Sequence, residues 1–127
     1  MDWRLGLIAV PVSDVDRAKA FYVDGVGFTA DHDVEAPVEG GMRRFVQLTP
    51  PGSPTSIHLA GDWLEGSEPG AVQGLQLVVA DIEAAHAYLA ERGVEVSEIV
   101  REPWGAFVFF RDPDGNGWSV QELPDRS

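Results

Sequence analysis

Val12-Ser-Asp-Val-Asp-Arg-Ala-Lys-Ala-Phe21 decides the fold, because the chain repeats it 67 residues later as Val79-Ala-Asp-Ile-Glu-Ala-Ala-His-Ala-Tyr88. Val, Asp and two Ala are identical at matching places, and Val/Ile, Asp/Glu and Phe/Tyr are like for like. A repeat this long in a chain of 127 residues predicts two copies of one supersecondary unit.

Working outward from the first copy, residues 5–12 read as a buried strand, β-branched at Ile8, Val10 and Val12. Ser13 and Asp16 suit a capping box, after which Val15, Ala18, Phe21 and Tyr22 fall on one helix face. Gly25 and Gly27 end that helix, and residues 27–31 lead into a second strand. Residues 33–41, with Pro37 and a Gly pair, read as a loop. Residues 43–49 and 55–60 read as strands around the turn Pro50-Pro-Gly-Ser-Pro54. The second copy follows suit. Residues 72–80 are a strand, Asp81 caps a helix burying Ile82, Ala85, Tyr88 and Leu89, and Gly93 ends it. Strands at 94–100, 104–111 and 117–123 follow, the last two joined by the turn sequence Asp112-Pro-Asp-Gly-Asn116. Each half is therefore β-α-β-β-β. The chain divides into module 1 (1–61), a Gly- and acid-rich linker (61–71) and module 2 (72–127) within a single domain.

One helix covers one face of a four-stranded sheet, so the other face must close on its twin or on a ligand. Alternation turns Ile8, Val10, Val12, Ile57, Leu59, Trp118 and Val120 toward the helices. It leaves Leu5, Leu7, Ala9, Ser56, His58, Gly74, Gln76, Val78, Ser119 and Gln121 on open faces. Such a surface, apolar with a few polar groups, suits a small molecule.

Composition bounds the partners. The net charge of −12 argues against nucleic acid, whose phosphates it would repel, and suits a solvated surface or a cationic ligand. No cysteine is present, so disulfides and thiolate sites are excluded. Met1-Asp-Trp-Arg4 carries no basic region followed by an apolar segment, and residues 5–12 are far too short to span a bilayer. A cytoplasmic protein without a membrane partner is expected.

Paired units with this wording resemble the vicinal oxygen chelate superfamily of glyoxalases, bleomycin-resistance proteins and extradiol dioxygenases. The matching pieces are residues 12–22 with Gly27-Phe28, residues 74–85, and Asp112-Pro-Asp-Gly-Asn116. The resemblance implies an α+β fold: two βαβββ modules forming a curved, incompletely closed mixed sheet around a cavity, helices on the outer face. It also implies a homodimer, because such sheets often complete their cavities against a second chain. In metal-dependent members four side chains meet in the cavity, one from the first and last strand of each module. Those places fall here on Leu7, His58, Gly74 and Ser119. Only His58 is a good divalent-metal ligand, whereas such sites need three or four donors. Gln76 and Gln121 are poor ligands, and Glu122 alternates to the wrong face. No metal and no other cofactor is expected.

His58 is the one histidine expected in the cavity, as a ligand contact or acid–base group, or simply as a hydrogen-bonded pocket residue. His86 is expected to be solvated, and His32 exposed at a strand end. Gln47, Gln76, Ser119 and Gln121 are set to orient a polar ligand or to pair across the sheet. Trp104, Phe107 and Phe109 could wall a planar, aromatic ligand or serve the core. Trp63, with Asp62, Glu65 and Glu68, could cap the cavity mouth. Asp112-Pro-Asp-Gly-Asn116 is read as a structural turn.

Two readings remain open. One is a binding protein that sequesters a small, largely apolar molecule, as bleomycin-resistance proteins do. The other is an enzyme, either a lyase or isomerase using His58 as acid–base group or a metal-dependent glyoxalase- or dioxygenase-like catalyst with non-standard ligands.

Overall fold

A computed structural model describes residues 1–61 and 66–124 of the chain. Trp63, Asp62 and Glu65, expected at a cavity mouth, lie outside the described residues.

The repeat folds as two equivalent modules of α+β class. Module 1 runs β1 (Leu7–Pro11), α1 (Val15–Ala20), a π-helix (Phe21–Val26), β2 (Thr29–Val38), β3 (Gly41–Thr49) and β4 (Ser56–Ala60). Module 2 runs β5 (Leu75–Val79), α2 (Ile82–Glu91), β6 (Val100–Glu102), β7 (Gly105–Arg111) and β8 (Gly117–Glu122). The mixed sheets have orders β1-β4-β3-β2 and β5-β8-β7-β6, and neither closes. In each, the first strand pairs in parallel with the last. Among the described residues no helix is long and apolar enough to cross a membrane.

Alternation sorts the side chains as expected. Val10, Val12, Val46, Leu48, Ile57 and Leu59 from the first sheet are buried, as are Val108, Phe110, Trp118 and Val120 from the second. They join Ala18, Tyr22, Val26, Ile82 and Leu89 in one apolar cluster. Tyr22 stacks on Phe28, and both rings meet Trp118 of the other module, at 5.7 and 5.6 Å. The helix-covered faces of the two sheets thus share one core, so within a single chain the two open faces turn outward.

A buried polar latch ties the modules together. The Tyr22 hydroxyl donates to Asp112 Oδ2 at 2.8 Å and accepts from Trp118 Nε1 at 2.9 Å. Asn116 Nδ2 donates to Asp112 Oδ2 and to the Pro11 carbonyl. The turn's two carboxylates are spent on this scaffold: Asp112 Oδ1 accepts the backbone N–H groups of Asp114 and Asn116, and Asp114 accepts from Ser13.

Several local readings change. The N-cap of α1 is Asp14, which accepts from Arg17 N, because the Ser13 hydroxyl is engaged by Asp114 across the module boundary. The helix runs on through Gly25 as a π-turn, closed by Gly27 N–H donating to the Tyr22 carbonyl at 2.9 Å. Gly27 has φ +92°, the left-handed conformation that favours glycine, and a β-carbon there would also displace the Tyr88 hydroxyl. Tyr88 is accordingly not a core residue: it is 41% exposed, and the Arg92 guanidinium lies 4.4 Å from its ring centre. His86 is half-buried rather than solvated.

Residues 33–38, read as loop, continue β2, and β3 begins at Gly41. Pro37 is tolerated because β2 is an edge strand. Asp33 anchors it, accepting from Lys19 Nζ at 2.7 Å and from Arg44 Nη2 at 2.8 Å, while Arg44 Nη1 reaches Asp16 at 2.7 Å. Residues 94–99 are not a regular strand. Ser97 N–H donates to the Phe109 carbonyl, but the Ser97 hydroxyl takes the Phe109 N–H in place of a backbone partner.

Candidate functional site

The residues expected at the site fall in two groups, one per open face. On the first sheet the register sets Ala9 beside His58, His58 beside Gln47 and Gln47 beside His32, a transverse row across β1, β4, β3 and β2. Leu7 stands one row away, beside Ser56. On the second sheet Gln76 pairs with Ser119, Val78 with Gln121, Phe107 with Gln121 and Phe109 with Ser119. Trp104 lies in the tight connection before β7. One chain therefore brings Gln76, Trp104, Phe107, Phe109, Ser119 and Gln121 together, and separately Leu7, Gln47 and His58. It does not join the two groups.

The second sheet presents aromatic rings beside uncharged amides. Phe107 and Phe109 are stacked, 6.2 Å between centroids and 8° from parallel. Phe109 is 46% exposed, Trp104 61% and Val78 59%, an apolar patch of the kind that marks an interaction site. Gln76 Nε2 donates to Gln121 Oε1, the Ser119 hydroxyl donates to Gln76 Oε1 at 3.4 Å, and Gln121 Nε2 donates to the Trp104 carbonyl at 2.9 Å. These polar groups pair with each other while staying at the surface. A groove of about 700 Å³ opens on this side, lined among others by Gly74, Ser97, Phe109 and Ser119. That volume falls within the range of small-molecule sites.

On the first sheet Gln47 Nε2 donates to Ser56 Oγ at 3.4 Å, and Ser56 Oγ lies 2.6 Å from Thr49 Oγ1, which donates in turn to Asp31. His58 is half-buried with the Phe45 ring 6.2 Å away, and burial lowers its pKa below the ordinary histidine value. Its imidazole is accordingly neutral at pH 7, able to accept or donate a hydrogen bond.

His32, expected to be exposed at a strand end, is exposed but not at an end. It lies within β2, where a register shift between Ala30 and His32 turns it onto the open face opposite Gln47. The signal was the alternation of residues 29–38, which a proline and two glycines disguised as a loop.

The metal positions implied by the resemblance were tested on these donors. Leu7 offers none. Gly74 has no side chain, and its φ of +83° strains any residue that would supply one. The Ser119 hydroxyl is bonded to Gln76, which leaves His58 as the single strong donor. Glu122 points away, its Oε1 accepting the Ile82 N–H at the start of α2. Among the described residues no three His, Cys, Asp or Glu side chains cluster closely enough to hold a metal ion. The described residues at these positions do not fit one.

Comparison with known proteins matches residues 4–120 to the family model of the Glyoxalase/Bleomycin resistance protein/Dioxygenase superfamily. Bacillus subtilis (strain 168) YetH, described as an uncharacterized protein, is 30% identical over 123 residues, covering 94% of this chain and 98% of its own. Among solved structures, TnmS3, an antibiotic binding protein from Streptomyces sp. CB03234, is 40% identical with a TM-score of 0.85, covering 97% of this chain and 98% of its own. A superfamily member from Sphaerobacter thermophilus DSM 20745 is 34% identical with a TM-score of 0.82, covering 95% and 98%. The chain belongs to the Glyoxalase/Bleomycin resistance protein/Dioxygenase superfamily.

Proposed function

We propose that this protein binds a small, largely apolar and planar molecule on its open sheet faces, without the metal used by catalytic members of its family. The observation that carries this reading is exposed Phe109 and Trp104, with half-buried Phe107 stacked on Phe109, beside uncharged Gln76, Ser119 and Gln121. Exposed rings reward a flat guest, and the amides can exchange their mutual bonds for bonds to it. The likeness to an antibiotic binding protein across nearly the whole chain supports the same reading.

The binding unit is a homodimer in this proposal. The two groups of site residues lie on open faces that do not meet in one chain, so a second copy is needed to bring them together. The sheet edges favour it. Edge β2 carries Asp31, Asp33, Glu35 and Pro37, and β6 carries Arg101 and Glu102, which resist pairing. Edges β1 and β5, Leu7-Ile-Ala-Val-Pro11 and Leu75-Gln-Leu-Val-Val79, carry no charge.

Fluorescence titration with 2,7-dihydroxynaphthalene tests the binding reading. Phe109→Ala is expected to weaken the complex about tenfold or more by removing one stacking ring. Equal affinity of variant and parent would count against it. The enzymatic alternative rests on the half-buried His58 imidazole, whose pKa burial lowers below the ordinary histidine value, as an acid–base group. Under that reading His58→Ala abolishes turnover of whatever is bound, whereas under the first it only weakens binding.

A further inference from the structure

β2 pairs with β3 in regular antiparallel register from Val38 up to His32, and again at Ala30 and Thr29, but Asp31 between them has no partner. This is a β-bulge. An extra residue in one strand reverses which side chains face which way beyond it. Counting back from Thr29 opposite Thr49 and Ala30 opposite Leu48, an unbroken ladder would set Asp31 opposite Gln47 and turn His32 toward α1. With the bulge, His32 itself stands opposite Gln47, and Asp31 also reaches the open side, where its carboxylate accepts from Thr49 Oγ1.

The result is a row of three polar side chains, His58 on β4, Gln47 on β3 and His32 on β2, each about 4.8 Å from the next across the sheet. The row is bordered on one side by Leu7 and Ala9 on the edge strand β1. It is held from below by the Asp31–Thr49–Ser56–Gln47 chain of hydrogen bonds, which fixes the Gln47 side chain through its Nε2. The Gln47 carbonyl oxygen accepts no hydrogen bond among the described residues, so it is available to a guest. Bulges near sites commonly re-aim a side chain in this way.

We propose that the bulge at Asp31 is a recognition device: it places His32 beside Gln47 and His58 as a specificity-determining residue that reads hydrogen-bonding groups set along one edge of a planar ligand. The inference rests on the binding reading above and adds the ligand's chemical class, a fused-ring molecule of two or more rings with oxygen substituents on a single long edge. The aromatic wall of the second sheet takes the flat face, and the polar row of the first takes the edge. Hydrogen-bonding side chains discriminate well in such a place, because a ligand lacking the matching group leaves polar groups unpaired.

Two isomers of one probe test this. The hydroxyls of 2,7-dihydroxynaphthalene flank one edge of the rings, and those of 2,6-dihydroxynaphthalene lie on opposite edges, so size and polarity are matched. Calorimetric titration of the purified protein is expected to give about fivefold tighter binding of the 2,7 isomer. His32→Leu should erase the preference, so that the two isomers bind alike, while His32→Gln, which keeps a donor and an acceptor, should retain it. Deletion of Asp31, which turns His32 back toward the helix, should behave like His32→Leu; His32 is exposed, so the point variants can fold even where the deletion does not. Equal binding of both isomers by the parent protein, or a preference that survives His32→Leu, would overturn the inference while leaving the binding reading intact. Binding of neither isomer would overturn both.

Discussion

The hydroxyl of Tyr22 donates to Asp112 and accepts from Trp118, so its removal strands two buried groups at once. Tyr22→Phe is expected to cost about 1–3 kcal/mol in urea unfolding, the range for leaving buried polar groups unsatisfied. Loss below about 0.5 kcal/mol would mean that water replaces the hydroxyl. Burial, followed by the nearby Asp112 charge, raises the Tyr22 pKa far beyond its ordinary value, so the phenol stays protonated and the latch holds across the useful pH range. His58 behaves differently. Burial lowers its folded-state pKa below the ordinary 6.5, so as pH falls through 6.5 the unfolded chain takes up the proton first. Its contribution to stability is therefore fully present above 6.5, declines as pH drops from there to the folded value, and is gone below it. Unfolding free energies measured at pH 7.5 and 5.5 should fall between the two for the parent protein and fall less for His58→Gln. The faces of both residues were legible in the sequence, Tyr22 on the core side of its helix and His58 on the open face of its sheet. Their partners were not, because the Tyr22–Asp112 pair joins residues 90 apart and period alone carries no such information.

Elements were most legible where periodicity was strong and least where a side chain served a distant part of the chain. The helix starts illustrate this. Ser13 matches a capping box by spacing, yet it is bonded to Asp114 of module 2, and Asp14 takes the cap instead. In α2 no such competition exists, and Asp81 caps as expected by accepting from the Glu83 and Ala84 N–H groups. Asp14→Ala should therefore lower stability by about 1 kcal/mol through lost helix capping, and Asp81→Ala should do the same. Ser13→Ala should act through the module contact instead, leaving α1 helicity by circular dichroism unchanged. Strand β2 was the largest element misread. Pro37 and the Gly pair argue for a loop by local propensity, but the Lys19–Asp33–Arg44–Asp16 ion pairs fasten the segment to α1 and β3. The arginine and lysine hydrogen bonds hold the Asp33 carboxyl far below the usual carboxylate range, so this fastening persists until strongly acidic pH. With the strand came its bulge, and with the bulge His32.

At the scale of the molecule, one repeat specifies two modules, and the modules meet through their helix-covered faces. That packing puts both helix-covered faces in one core, a contact between distant parts of the chain that alternation alone does not show. The resemblance implies that the family's metal positions, counted from the same repeat, fall on Leu7, His58, Gly74 and Ser119. Of these only His58 is a strong donor, and Gly74, held at positive φ, supplies none, which makes a poor ligand set for a divalent ion. The account thus turns on binding without metal. Native mass spectrometry of the purified protein, treated with a chelator and then mixed with 2,7-dihydroxynaphthalene, tests this most directly. A stoichiometric complex, unchanged by the chelator and by added Ni²⁺, Zn²⁺, Mn²⁺ or Fe²⁺, is the predicted result. A complex that forms only after one of these ions is restored would contradict it.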